Sequence, residues 1–417
     1  MYQLLQIFVL ILLLSACKHS SPDTDEISQW RGPARDGIYP DKDLLKQWPE
    51  NGPELLWSFE GLGSGQGSPV MAGKHIFVTG IPDTLTAEGY LYKFDTEGKL
   101  VWQKNYGKDW NGIFPGARST PTVAGKKIYI ESGNGAVHCL DTETGDILWS
   151  VDFFSDLQAD SVQFGYSESL LIYKDQLICT PGGKTNNVAG LNRFTGEKLW
   201  SSPAYGEQAT YSSPIVAQHN GVDLFINLTA SSIIGVDISN GEMYWRIHQF
   251  QDNKIHANTP LYHEGKVLVS SASRKDSSGL VLLQLSPDGK KADIVWRNRE
   301  MINLMGGVIL KDGYIYGSAY LQPRWYCIDI QTGEPKYVSR DLGGGAVIWA
   351  DGLFYCYTER NGEMALVEAS PDTFRVVSKF RVPLGTGEHW AHPVIGGGKL
   401  LVRRGNALMV YRVGNQT

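Results

Sequence analysis

The chain has few cysteines and almost no long apolar run, and each of these features argues against a class of protein. Its 417 residues include five cysteines, and no two of them form a Cys-x-x-Cys pair. A zinc site or a disulfide framework is therefore not indicated. The formal net charge of −6 argues against non-specific binding to nucleic acid. The apolar run at residues 4–14 is too short for a comfortable membrane span.

That apolar run is typical of a signal peptide, because the sequence Leu14–Cys17 (LSAC) follows it directly and looks like a bacterial lipobox. The sequence therefore predicts a signal peptide at 1–16, a lipidated Cys17 and a flexible polar tether at 17–28. A single domain at 29–417 follows. The residues before the apolar run carry no Lys or Arg, so an ordinary cleaved signal peptide stays open. Lipidation would anchor the chain to the outer membrane, on either side.

One eleven-residue phrase recurs along the chain and predicts its architecture. Its copies are Cys139–Trp149, Gly190–Trp200, Gly235–Trp245 and Cys327–Tyr337. Each copy predicts a strand, a tight turn and a returning strand. An Asp or Asn can accept bonds from the turn backbone, a Gly takes a positive φ, and a large ring suits a half-buried sheet surface. The small first residue would leave room for a ring from a neighbouring unit.

A second phrase, such as Ser68–Val70 or Thr120–Thr122, predicts the first strand of each unit. The units recur about every 45 residues, which is the size of a propeller blade. The Trp strand Leu55–Phe59 precedes the first unit, and the last unit lacks such a strand. The sequence therefore predicts an all-β, eight-bladed β-propeller of four-stranded blades, closed by strands from both termini. Seven blades stay open, because the unit at 368–380 is degenerate.

The rings and glycines of the first phrase are predicted to dock each blade against its neighbour. They are Trp57, Trp102, Trp149, Trp200, Trp245 and Trp296, with Gly98, Gly145, Gly196, Gly241 and Gly333. Residues with this role hold turns and blade contacts, and none of them needs to touch a ligand.

The phrase small-x-Asp-x-x-Thr-Gly-x-x-x-Trp resembles the repeat of the pyrroloquinoline-quinone (PQQ) dehydrogenases over about residues 55–412. The length of the chain and its lipobox are more similar to those of the non-catalytic branch of PQQ-like propellers. This branch includes the lipoprotein of the outer-membrane β-barrel assembly machinery. The resemblance implies a lipid-anchored scaffold of the cell envelope that binds a protein or ligand without a cofactor. A dehydrogenase that uses PQQ and calcium to oxidise alcohols or sugars stays open, as does a carbohydrate-binding protein.

The loops between units should end near the mouth of the propeller channel, where the resembled enzymes hold their cofactor. Candidate ligand-binding residues there are Gln66, Arg118, Tyr166, Glu168, Tyr211, His256, Asn303, His389 and Trp390. In an enzyme, Arg118 would face a quinone carboxylate, Trp390 would stack on the quinone and Glu168 would bind calcium or act as a base. No two cysteines are adjacent and no acidic cluster suits calcium. We therefore expect no catalytic residue and no metal.

The loops between the second and third strands of the last four units are basic. Their candidate docking residues are Arg274, Lys275, Arg324, Trp325, Arg360, Arg403 and Arg404. We expect this basic sector to lie on the mouth face and to dock an acidic envelope protein or an anionic glycan, and ordinary solvated charge is the alternative. The chain is expected to be monomeric, to meet the membrane only through its anchor and to bind no nucleic acid.

Three irregular segments fall outside the repeats. Residues 30–37 (WRGPARDG) are compact and turn-rich, and we expect them to pack against the propeller wall or at one end of the channel. The long connections at 103–117 and 150–167 carry several aromatic residues. These rings either anchor a partner or, as we expect, fold back over the rim of the propeller.

Overall fold

The computed structural model describes residues 26–249, 255–272, 279–320 and 322–415. In these ranges the strands form eight sheets of four or five strands, which confirms the all-β, eight-bladed propeller. The predicted signal peptide, Cys17, residues 17–25 of the tether, Arg274 and Lys275 lie outside the described residues. The helical structure of the described ranges is the short 3-10 turn Ala204–Gly206, and no helix there has the length and apolar character to span a membrane.

Blades 1 to 4 follow one another along the chain as antiparallel meanders, each running from the channel outward. Blade 1 consists of Val70–Ala72, His75–Gly80, Glu88–Asp95 and Leu100–Lys108. Blade 2 consists of Thr122–Ala124, Lys127–Ser132, Ala136–Asp141 and Ile147–Asp152. Blade 3 consists of Leu171–Tyr173, Gln176–Cys179, Val188–Asn192 and Lys198–Ser202. Blade 4 consists of Ile215–His219, Val222–Leu228, Ser232–Asp237 and Met243–His248.

Blades 5 to 7 continue the same pattern. Blade 5 consists of Leu261–His263, Lys266–Ser271, Gly279–Leu285 and Ala292–Asn298. Blade 6 consists of Val308–Lys311, Tyr314–Ser318, Trp325–Asp329 and Pro335–Ser339. Blade 7 consists of Gly345–Ala350, Leu353–Thr358, Glu363–Ser370 and Thr373–Arg381. The degenerate unit thus forms a complete pair of outer strands, and the alternative of seven blades is wrong.

Blade 8 closes the ring with strands from both ends of the chain. It consists of Val394–Gly396, Lys399–Arg404, Ala407–Arg412 and, outermost, Leu55–Phe59. The outermost strand is antiparallel to its neighbour, with Trp57 opposite Val410. The predicted closure by both termini is confirmed, and it leaves no open gap between the first and the last blade.

The repeated phrase builds the turns of one face, which we call the turn face. Asp141 Oδ1 accepts hydrogen bonds from the backbone N–H groups of Glu143 (2.8 Å) and Thr144 (3.0 Å). Gly145 has a φ of 72°, and a Cβ there would lie 3.1 Å from the Trp102 ring of the preceding blade. The same contact joins Gly98 to Trp57, Gly196 to Trp149, Gly241 to Trp200 and Gly333 to Trp296. Each ring therefore covers the next blade's turn.

The small first residue of the phrase has a different role from the expected one. A Cβ on Gly190 would lie 2.3 Å from the ring of Trp200, and a Cβ on Gly235 would lie 2.1 Å from the ring of Trp245. Each of these pairs lies directly opposite across two strands of the same blade. The small residue thus makes room for its own blade's ring and not for a ring of the neighbouring unit.

Residues 27–39 form a hairpin-like segment inside the central channel, which we call the plug. Ile27–Ser28 pairs with the innermost strand of blade 2, and Ile38–Tyr39 pairs with the innermost strand of blade 7. Both pairings lie at the turn-face ends of these strands, so the plug enters and leaves the channel at the turn face. The predicted tether extends too far at its C-terminal end, because Ile27 packs on the apolar core between blades 2 and 3.

Candidate functional site

Two buried arginines hold the tip of the plug at the opposite, mouth-side ends of the innermost strands. Arg31 donates to the carbonyl of Val308 (2.8 Å) and to Nδ1 of His392 (3.1 Å). Arg35 donates to the carbonyl of Leu170 (3.1 Å). Burial lowers the pKa of both guanidinium groups to about 10, so both stay charged at neutral pH. Charge-assisted bonds to blades 3, 6 and 8 therefore fix the plug.

His392 is held as a neutral ring that accepts one of these bonds. Its Nε2 donates to the carbonyl of Met305 (2.8 Å), which leaves Nδ1 as the acceptor for Arg31. Burial and the nearby Arg31 lower the pKa of His392 to about 3. The ring of Trp30 packs 4.7 Å from that of His392, and its Nε1 donates to Thr259 Oγ1 (2.8 Å). The plug tip is thus bonded to the channel wall on several sides.

A cavity of about 270 Å³ lies at the channel mouth, and the plug tip forms part of its wall. The predicted site residues that line it are Gln66, Arg118, Tyr211 and Trp390. The Trp390 ring meets the Phe114 ring edge-on, with their centroids 5.2 Å apart. Tyr211 accepts a hydrogen bond at its hydroxyl from the backbone N–H of Phe164 (3.1 Å). Four of the predicted residues therefore do come together.

Four further rings of this cavity were not among the predicted site residues. They are Trp30, Phe114, Phe164 and Tyr320. Phe114 and Phe164 belong to the long connections expected to fold back over the rim, and Trp30 belongs to the turn-rich segment before the first blade. The signal that could have found them was the aromatic content of these non-repeated segments.

Asn303 and His389 line an adjoining cavity of about 300 Å³ that shares Tyr320 and Trp390 with the first. Asn303 Nδ2 donates to the carbonyls of Gly307 (3.1 Å) and Ser318 (2.8 Å). The hydroxyl of Tyr357 shares a hydrogen bond with Nδ1 of His389 (2.6 Å), and burial lowers the pKa of that ring to about 4. These hydrogen bonds therefore fix both side chains in the wall of the cavity.

Tyr166, Glu168 and His256 are buried and do not line the mouth, so their expected placement is wrong. The physical reason is the alternation of side chains along an extended segment. The neighbours Ser167 and Ser169 do line the cavity, and Tyr166 and Glu168 point the other way. Ile255 and Ala257 line it too, so the same alternation turns His256 inward.

Glu168 forms a buried carboxyl pair with Glu131 behind the cavity wall. The backbone N–H of Glu168 donates to Glu131 Oε1 (2.8 Å). Burial raises the pKa of Glu168 to about 8, against the opposing effects of Thr180 and Arg35. Burial, followed by the charge of Glu168, raises the pKa of Glu131 well above its ordinary value. At neutral pH the pair therefore retains at least one proton.

Two members of the predicted basic sector are interior residues, and their expected exposure is wrong. Arg403 is fully buried and donates to the carbonyl of Gly67 (2.8 Å), because the strand Lys399–Arg404 extends past it. Trp325 is buried at the start of a third strand, and its Nε1 donates to the carbonyl of Gly343 (3.0 Å). The remaining described arginines of the sector are the exposed Arg360 and the half-buried Arg324 and Arg404.

The central cavity has the wrong donors for calcium-bound PQQ. None of the described residues that line it is an Asp or Glu, and its one formally charged side chain is Arg118. Calcium takes six to eight oxygen ligands, usually with carboxylates among them. Within the described ranges no three His, Cys, Asp or Glu side chains gather in a way that could hold a metal ion. These residues therefore do not fit that cofactor.

A family model described as outer membrane protein assembly factor BamB matches residues 87–337, which is more than half of the chain. The chain belongs to this BamB family. The BamB of Burkholderia pseudomallei (strain K96243) is 26% identical to it over 145 residues, which are 35% of this chain and 32% of that protein. The chain thus matches about a third of the length of this BamB relative.

The fold of this BamB-family chain is similar to that of solved propellers of different activity. BamB from Moraxella catarrhalis superposes with a TM-score of 0.61 at 13% identity, covering 86% of this chain and 99% of that one. Quinohemoprotein alcohol dehydrogenase from Comamonas testosteroni superposes with a TM-score of 0.65 at 12% identity, covering 93% of this chain and 81% of that one. At these identities the likeness shows the fold alone.

Proposed function

We propose that this chain is a lipid-anchored, non-catalytic scaffold of the cell envelope that takes part in outer membrane protein assembly. The observation that carries the proposal is the BamB family match over residues 87–337. The lipobox at Leu14–Cys17 supports the anchor and an outer-membrane location. The lack of carboxylates around the central cavity favours a role without PQQ or calcium.

The mouth face is the proposed contact surface for an envelope protein. Its connections expose large apolar side chains, among them Leu85 at 93%, Ile113 at 58% and Tyr205 at 70%. Exposed aromatic residues in loops are common anchors of protein interfaces. Arg360 adds an exposed positive charge on the same face, so the partner surface should combine apolar and acidic residues.

Site-specific photo-crosslinking in intact cells tests this proposal. A photoreactive phenylalanine analogue placed at Phe114 or Tyr205 should capture proteins of the outer-membrane assembly machinery. The matched control is Glu197, an exposed residue of a turn on the other face. Equal capture of these proteins from Glu197, or none from the mouth face, would contradict the proposal.

A separate assay addresses catalysis. The purified chain, supplied with PQQ and calcium, should neither bind the cofactor nor reduce a dye in the presence of alcohols or sugars. Turnover in this assay would replace the scaffold proposal with a dehydrogenase.

A further inference from the structure

We infer that the turn face of the propeller lies against the bilayer that holds the lipid anchor, and that the mouth face points away from this bilayer. The inference deepens the proposed function and rests on its lipid anchor at Cys17. Two observations carry it: the place where the plug begins, and the short stretch of sequence between that place and Cys17.

The N-terminal end of the plug lies at the turn face. Ile27 pairs with Ala124, the last residue of the innermost strand of blade 2. Glu26 lines a surface cavity together with Gly73 and Gly125, which lie in the turns that follow the innermost strands of blades 1 and 2. The chain therefore enters the channel on the face of the repeated turns.

The length of the tether limits how far the anchor can lie from this point. Glu26 follows Cys17 by nine residues, and nine fully extended residues span at most about 32 Å. A flexible chain of this length has a root-mean-square end-to-end distance of only about 15–18 Å. The lipid therefore lies within about 32 Å of the turn-face opening, whatever path the tether takes.

The propeller is too large for the anchor to reach the mouth face around its rim. In blade 2 the plug strand and four further strands lie side by side, so the outermost strand is about 19 Å from the plug. The second strand of this blade, Lys127–Ser132, adds a height of about 20 Å between the two faces. A path around the rim covers both distances and exceeds the full reach of the tether. The channel offers no second path, because the plug occupies it from the turn face to the mouth cavity.

The same distances disfavour an edge-on arrangement of the propeller. With the rim of blade 2 on the bilayer, the tether would have to span about 19 Å and the outer side chains as well, which is more than its root-mean-square length. The turn face is the surface that the anchor reaches without a stretched tether. This orientation follows for either side of the outer membrane, because it depends only on the tether and the blades.

The charge of the turn face does not set this orientation. Around the entry of the plug it exposes side chains of both signs, among them Lys74, Lys126, Glu97 and Glu143. A surface of mixed sign gains little from anionic headgroups, so the length of the tether decides. We therefore expect the same orientation at low and at high salt.

Energy transfer from single fluorescent labels to acceptors on lipid headgroups tests the inference. The acylated full-length chain is reconstituted into phosphatidylcholine vesicles and carries one label at E143C or E334C, in turns of the opposite blades 2 and 6, or at I113C, exposed at the mouth. The native cysteines of the described ranges are buried, which protects them from the label. Because the mouth is about 20 Å farther from the bilayer, transfer from both turn-face labels should exceed that from I113C at least about twofold.

Two results of this comparison overturn the inference. Equal transfer from all three labels, or more transfer from I113C, would mean that the turn face is not the membrane side. High transfer from E143C alone would mean that the propeller lies edge-on, on the rim of blade 2.

Lengthening the tether identifies the cause of the orientation. Insertion of about 20 Gly and Ser residues after Ser21 roughly triples the reach. The mouth face can then meet the bilayer too, and the ratio of turn-face to mouth transfer should fall toward one. The matched control carries the same segment after Thr417 and should keep the wild-type ratio. An unchanged ratio after the tether insertion, or loss of the wild-type ratio at high salt, would contradict an orientation set by tether length.

The variant C17S separates this inference from the proposed anchor. C17S should stay in solution, whereas the wild-type chain should sediment with the vesicles. A wild-type chain that also stays in solution would contradict the anchor of the proposed function, and the inference with it. An anchored chain with the wrong ratio of transfer would overturn the orientation alone and leave the scaffold proposal standing.

Discussion

The turn face and the mouth face of the propeller are built from opposite kinds of sequence. The turn face repeats one arrangement, in which a glycine such as Gly145 or Gly196 lies under the ring of the preceding blade. The mouth face has no common pattern, and its cavity combines Trp30 from the plug with Phe114 and Trp390 from two connections. Repetition therefore serves contacts between blades, and the non-repeated segments supply the candidate site.

The largest expected effect comes from removing a ring that docks two blades. Trp245 is buried and packs in one apolar cluster with residues of blade 5, so W245A should lower the free energy of unfolding by about 3–5 kcal/mol. Urea denaturation followed by circular dichroism measures the change. The control is L199A, because Leu199 is 51% exposed. Similar losses in the free energy of unfolding of both variants would contradict a special role of the docking ring.

A smaller effect is expected from crowding one turn. G333A should cost about 2–3 kcal/mol, because Gly333 has a φ of 74° and an added Cβ would lie 2.6 Å from the Trp296 ring. G352A is the matched control: Gly352 has a φ of 87° and no atom within 4 Å of an added Cβ. We expect G352A to cost about 1 kcal/mol from backbone strain alone. Equal costs would mean that the ring contact adds nothing.

The buried carboxyl pair behind the mouth should make stability depend on pH. Glu168 has a pKa of about 8 in the folded chain and an ordinary value of 4.5. Between these values the folded state holds more protons, so the free energy of unfolding falls as the pH rises from about 4.5 to 8. E168Q should flatten this fall and exceed wild type by on the order of 1 kcal/mol at pH 8.5. Thermal unfolding at a series of pH values checks it, and parallel curves would contradict it.

The smallest effect on stability is expected on the exposed rim of the mouth. R360E should change the free energy of unfolding by less than about 0.5 kcal/mol, because Arg360 is exposed. It should still reduce the yield and the salt dependence of crosslinking from Phe114, if the partner surface is acidic. R375E, on an exposed outer strand, is the control. Unchanged crosslinking in R360E would exclude this arginine from the contact.

The repeated features of the fold could be predicted from the sequence, whereas the side-chain directions and contacts of the non-repeated segments could not. The number of blades and the closure of the ring could be predicted from the periodic turns and from the strand Leu55–Phe59, which precedes the first unit. This was possible because each repeated residue makes its contacts within its own blade or with the next one. The direction of single side chains was harder to predict. For Tyr166 and Glu168 it depends on which residues of an extended segment face the cavity. For Arg403 it depends on where the strand ends. The plug was predicted only in outline, because its bonds reach residues hundreds of positions away, as from Arg31 to Val308.

The plug is inserted into the ring and is not threaded through it. Both of its ends lie at the turn face, so the closed ring forms no knot around it. Closure of blade 8 and placement of the plug are therefore separable events, and either order reaches the same topology. The hydrogen bonds of Arg31 and Arg35 and the strand pairings at the two ends of the plug hold it in the channel.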